Sequence, residues 1–83
     1  MFNTLKTNGH NLVKVGMKVM WRGCFGAEAP RVATLEDIEL CEDEHEKYGT
    51  PVSEVPAEDL YRCCVGLDNG HWAYGYQITE ILG

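Results

Sequence analysis

The apolar residues of this chain fall in short alternating runs rather than in helical stripes. In "LVKVGMKVMW" (Leu12–Trp21), Val13, Val15, Met17, Val19 and Trp21 alternate with Lys14, Gly16, Lys18 and Met20. A period of two sends successive side chains to opposite faces, so the run predicts one half-buried strand, with Gly16 as the place where it can bend. "RGCFGAEAP" (Arg22–Pro30) holds two glycines and a proline and predicts a loop. "RVATLEDIEL" (Arg31–Leu40) predicts a second strand whose apolar phase slips between Leu35 and Ile38. A bulge near Glu36-Asp37 restores that phase.

Further on, "CEDEHEKYG" permits a helical turn that Gly49-Thr50-Pro51 stops early. "PVSEV" predicts a short edge strand, and "PAEDL" a single helical turn with Pro56 at its first position. "LYRCCVGL" and "HWAYGYQ" flank Asp68-Asn69-Gly70, and Asn-Gly between apolar runs is a strong hairpin signal. A two-residue Asn69-Gly70 turn pairs Asp68 with His71, Leu67 with Trp72, Val65 with Tyr74 and Cys63 with Tyr76. Cross-strand partners share a face, so the bulk gathers on one side. The other side then carries Arg62, Cys64, Gly66, His71, Ala73 and Gly75. "YQITEIL" predicts a turn and a closing strand.

These elements describe an all-β chain of about five strands with a long acidic loop. With 83 residues there is length for one domain, read as 12–83 after a polar, flexible leader at 1–11 that contains Asn8-Gly9. A chain this short buries only about 60–65% of its unfolded surface, so any site rests on a thin core. No apolar run approaches the roughly 18–20 residues that span a bilayer, and "MFNTLKTNGHN" has no apolar signal-peptide core. The expected location is therefore cytoplasmic, where Cys24, Cys41, Cys63 and Cys64 are reduced thiols.

Charge changes the picture of the partner. The formal net charge is -6, but residues 1–35 carry five basic side chains against Glu28, while residues 36–59 carry ten acidic ones against Lys47. Such a field steers encounters and repels phosphate backbones, which disfavours nucleic acid as a partner. The acidic stretch itself reads as a solvated loop.

The order of elements resembles a Src-homology-3-type (SH3-like) small, partly open barrel over residues 13–82. "GMKVMW" followed by a glycine-rich loop is similar to the opening strand of KOW and Tudor-type barrels, and "LDNGHWAYG" resembles a signature of small bacterial or phage proteins. The chain departs from proline-binding SH3 domains in lacking their acidic ligand loop with tandem aromatics. It departs from ribosome-bound KOW domains in lacking a basic surface. The resemblance thus implies a fold and no activity.

Two readings of the aromatics stay open. Trp21, Trp72, Tyr74 and Tyr76 supply the bulk a small core needs; alternatively the small-residue face turns inward, and Trp72, Tyr74 and Tyr76 line an outer groove for a peptide, a base or a cation. The second reading makes the chain a non-enzymatic protein-interaction module, with Arg22, Phe25 and the acidic loop as the rim. The competing class is nucleic-acid binding through Lys14, Lys18, Arg22 and Arg31, or mimicry of nucleic acid by the acidic stretch in a protein of phage or mobile-element origin. An exposed edge strand also offers homodimerisation.

Enzyme and metal chemistry find less support. Cys41 and His45 are spaced for one helical face, but no Cys-x-x-Cys completes a tetrahedral set, and adjacent Cys63 and Cys64 point apart. Cys64 and His71 sit too far apart on the hairpin for a nucleophile–base dyad. Cys24 beside Arg22 is a loop thiol with a cationic neighbour. "RGCFG" lacks the lysine and following helix of a phosphate-binding loop. No cofactor, metal or catalytic residue is expected.

Overall fold

A computed structural model describes residues 5–43, 46 and 48–83. The all-β expectation holds: the strands are β1 (Leu12–Lys14), β2 (Lys18–Trp21), β3 (Arg31–Leu40), β4 (Thr50–Val52), β5 (Glu54–Pro56), β6 (Cys63–Leu67), β7 (Trp72–Tyr74) and β8 (Ile78–Ile81). Short 3-10 turns at Ala57–Arg62 and Gly75–Gln77 precede β6 and β8. β1 pairs with β5, and the larger sheet runs β7-β6-β3-β2-β8 with β4 on the outer half of β3. The path is open, with β7 and β8 at its two ends.

The opening run is two strands rather than one. Gly16 has a φ of 98°, and the Met17 N–H donates to the Lys14 carbonyl, closing a turn that leaves Val15 exposed. Glycine is the residue that adopts this left-handed backbone without a steric penalty. Pro56 stands at the N-cap of the 3-10 turn rather than at its first position.

The long strand β3 is bent where its sequence phase slips. Leu35 pairs with Leu67 and Asp37 with Gly66, so Glu36 is the extra residue of a bulge. Before the bulge β3 pairs with β2 and, at Leu35, with β6; beyond it β3 pairs with β6 and β4. One strand thereby serves both halves of the sheet, and its buried Ala33, Leu35 and Ile38 join Val19, Val65, Leu67, Ile78 and Ile81 in a single core.

The hairpin differs from its expected form by one residue, and that residue reverses a face. The Leu67 N–H donates to the His71 carbonyl and the Gly70 N–H to the Leu67 carbonyl, so the loop is Asp68-Asn69-Gly70, three residues long. Trp72 therefore pairs with Gly66, Ala73 with Val65 and Tyr74 with Cys64. Asp68 is held in the loop by β3: its N–H donates to the Thr34 carbonyl, and its Oδ1 accepts the Thr34 N–H at 3.0 Å. Asn69 Oδ1 accepts the His71 N–H, and Gly70, at φ 84°, takes the left-handed position that three-residue hairpin loops require. A one-residue slip moves every side chain of a strand to the opposite face. Cys63, Val65, Leu67 and Ala73 consequently point into the core, while Cys64, Gly66, Trp72 and Tyr74 point outward.

Candidate functional site

The outward set on the hairpin continues into a row of rings. Trp72 meets Tyr74 edge-on at 5.1 Å between centroids, and Tyr74 stacks on Tyr76 at 5.5 Å with their planes 12° apart. Phe25 adds a fourth ring, 6.1 Å from Tyr74. Tyr74 is 9% exposed because its neighbours cover it, whereas Trp72 is 43% and Phe25 66% exposed. Contacts of this kind each contribute roughly 0.5–1.5 kcal/mol beyond area burial, which makes the row a firm surface rather than loose side chains.

The loop that carries Phe25 is wound the unfavourable way. Cys24 (φ 52°, ψ 49°) and Phe25 (φ 56°, ψ 30°) are both left-handed, and Gly26 follows at φ 98°. Such a backbone costs an L-residue roughly 1–2 kcal/mol, so the surroundings must hold it. Arg22 does part of this: its Nε donates to the Glu28 carbonyl at 2.7 Å, closing the loop at its base. Arg22 thus sits beside the aromatic row with its guanidinium engaged by the loop.

Gln77 joins that loop to the row. Buried and 4% exposed, it accepts the Tyr74 N–H on Oε1 at 2.9 Å and donates from Nε2 to the Arg22 carbonyl at 2.8 Å. The Arg22 N–H returns a bond to the Gln77 carbonyl. A buried amide with both ends satisfied sets a distance between two backbone segments, here the end of β2 and the end of β7.

Trp21 is separate from this surface. It is 3% exposed in the core, with the Arg31 guanidinium 5.0 Å from its ring centroid and His71 5.8 Å away. Of the four large aromatics in the two open readings, Trp21 takes the core role, whereas Trp72, Tyr74 and Tyr76 share the outer face with Phe25.

Sequence reasoning did not bring five other residues, Asp37, Glu39, Tyr48, Cys64 and Gly66, to this face. Across β3, β6 and β7, Asp37 pairs with Gly66 and Gly66 with Trp72, while Glu39 pairs with Cys64 and Cys64 with Tyr74. Each row runs carboxylate, small residue, aromatic, and Asp37, Glu39, Cys64, Gly66 and Trp72 line a groove of about 250 Å³ with Tyr48 at its margin. Glu39 Oε1 accepts the Gly49 N–H at 3.0 Å, which steadies one wall. The signal was present as Gly66 and the β3 carboxylates at alternate positions, but it needs the bulge and the three-residue loop to align.

Two of the buried thiols are held in their protonated form. Burial, reinforced by the neighbouring Cys41 and opposed by Arg62, pushes the Cys63 thiol up to about 12. Burial and then Glu46 and Glu39 also raise Cys41. Both stay protonated at neutral pH, and a thiol, unlike a thiolate, is a poor nucleophile and ligand. Cys24 is exposed. His45, the second half of the considered Cys41-x3-His45 pair, lies outside the described residues, as does part of the acidic stretch. Among the described residues no group of three or more His, Cys, Asp or Glu side chains is placed to hold a metal ion, and no helix is long and apolar enough to cross a membrane.

The chain matches no protein-family model, no curated protein and no solved structure.

Proposed function

We propose that this domain is a non-enzymatic protein-interaction module that receives a peptide or protein partner on the face formed by Trp72, Tyr74, Tyr76 and Phe25, with Arg22 at the rim. The observation that carries the reading is Phe25, two-thirds exposed on a left-handed backbone yet held within 6.1 Å of the Tyr74 ring. A phenyl ring left two-thirds exposed adds little to the core, while its backbone is strained. Strain held in place by surrounding hydrogen bonds is a common mark of a ligand-facing segment.

The frame for this surface is an SH3-like, partly open barrel. Support comes from the path β7-β6-β3-β2-β8, the bulge that lets β3 serve both halves, and the 3-10 turn between β7 and β8. A peptide partner is favoured over nucleic acid because Asp37 and Glu39 lie along the same face as the rings and repel phosphates.

The test is selection of displayed peptides on the immobilised domain, followed by affinities for the wild type and for Phe25→Ser and Tyr76→Ser, with a melting curve for each. Binding should weaken at least tenfold in both variants while the Tm moves by only a few degrees. Failure to select any peptide, or unchanged affinity in both variants, overturns the proposal.

A further inference from the structure

The groove beside the aromatic row has a composition that specifies what enters it. Gly66 and Cys64 of β6 form its floor, Asp37 and Glu39 of β3 one wall, and Trp72 of β7 the other. The walls stand two strand spacings apart, about 9.5 Å between strand axes. At Gly66 the missing side chain is what keeps the floor low: a Cβ there would stand 3.0 Å from Asp37 Oδ2. Among the described residues, neither Asp37 nor Glu39 forms an ion pair, because the basic partners of the observed pairs are Lys6, Arg31 and Arg62 and their acids lie elsewhere.

Four classes of occupant can be compared on these walls. A phosphate meets two carboxylates and is repelled. An apolar side chain would strip water from Asp37 and Glu39 without replacing their hydrogen bonds, which is unfavourable. A metal ion finds no third ligand among the described residues. A planar cation satisfies both walls at once, because a guanidinium presents a fork of N–H donors to carboxylates and a flat face to an aromatic ring. A lysine ammonium offers a point charge without the flat face.

We propose that this groove seats an arginine side chain presented by an extended segment of a partner protein. The proposal deepens the preceding one and rests on its reading of the outer face as the partner surface. Charge complementarity extends beyond the groove, since residues 36–59 carry ten acidic side chains against one lysine. A net charge of -6 attracts a basic segment to the protein before contact. The aromatic row then receives the flanking residues, and the groove fixes the register of the segment through one side chain.

The experiment is an amide-resolved NMR titration of the full 15N-labelled chain with the capped tripeptide Ac-Gly-Arg-Gly-NH2, its citrulline analogue and its lysine analogue. Citrulline keeps the shape of arginine without the charge. Saturable shifts are expected at Cys64, Gly66 and the Trp72 indole N–H, with citrulline at least tenfold weaker and lysine weaker than arginine. The double variant Asp37→Asn, Glu39→Gln and the separate variant Gly66→Val should each weaken arginine binding at least tenfold, the first by charge and the second by filling the floor. Because Gly66 faces away from the core, unchanged cross-peaks for the core residues Val19 and Ile81, on β2 and β8, verify that Gly66→Val remains folded. Equal binding of citrulline, lysine binding tighter than arginine, no saturable shift, or indifference to both sets of variants overturns the proposal. If displayed peptides bind in a Phe25-dependent manner while the arginine tripeptide does not bind, the interaction surface stands and the arginine seat falls. If no peptide is selected, the underlying reading is what failed.

Discussion

Replacing Gln77 by methionine isolates the contact that holds the aromatic row against the Phe25 loop. Methionine keeps the length and nearly the volume of glutamine but can neither accept the Tyr74 N–H nor donate to the Arg22 carbonyl, bonds of 2.9 and 2.8 Å in the folded chain. Gln77 and its bond to Tyr74 are buried and its bond to Arg22 is part-buried, so both backbone groups lose the glutamine's bond. Stranding a buried polar group costs about 1–3 kcal/mol, and two such groups give about 2–4 kcal/mol once partial relaxation is allowed. For a domain of this size each kcal/mol lowers the Tm by roughly 4–8 °C, so a fall of about 10–25 °C is expected in a thermal melt. Hydrogen exchange at the Tyr74 amide should accelerate more than exchange in β2 and β8. Gln77→Glu extends the test through its sign with pH. An ionised carboxylate accepts from Tyr74 but faces the Arg22 carbonyl without a proton, whereas the protonated acid can satisfy both. The folded-state pKa of that glutamate is therefore raised above about 4.3, and the stability it contributes is present at low pH and lost as pH rises through the folded value. Relative to wild type, the variant should be closer in stability at pH 4 than at pH 8. A loss below about 1 kcal/mol for Gln77→Met, with the Tyr74 amide still protected, would refute the reasoning.

Four further expectations probe other parts of the structure. At pH 8 a disulfide-exchange reagent should titrate one thiol rapidly, the exposed Cys24, and the buried Cys41, Cys63 and Cys64 only on unfolding. With Cys63 pushed up to about 12, the folded chain keeps a proton that the unfolded chain releases above about 9. Stability should thus fall by up to roughly 1.4 kcal/mol per pH unit between 9 and 12, a slope that Cys63→Ala removes in chemical denaturation. Gly75→Ala drives a Cβ into the Leu60 carbonyl, a backbone atom that cannot swing aside, and should cost about 3 kcal/mol or more, whereas Gly70→Ala meets open space and should cost only about 1 kcal/mol for its left-handed backbone. Cys24→Gly, at φ 52°, should raise stability by about 0.5–1 kcal/mol in urea melts while Cys24→Ala leaves it unchanged, because only glycine relieves the left-handed strain.

The sequence by itself determined where strands form and which of their residues are apolar enough to face a core. Alternation placed Val19, Trp21, Leu35 and Ile38 inside, the phase slip located a bulge near Glu36-Asp37, and Asn69-Gly70 marked the hairpin. These are local signals, carried by neighbours two to four positions apart. The tertiary structure decided the direction of the aromatics, because register depends on a partner strand: Asp68 is tied to Thr34, 34 positions away, and is thereby kept in the loop. With that residue counted as loop, Trp72 and Tyr74 turn outward and Ala73 turns in. The acid–small–aromatic rows were equally illegible in the chain, since each joins three strands aligned by a bulge on one and a loop length between the other two. Local chemistry fixes which faces a strand can offer; long-range hydrogen bonds select which of them meets the core and which is left for a partner.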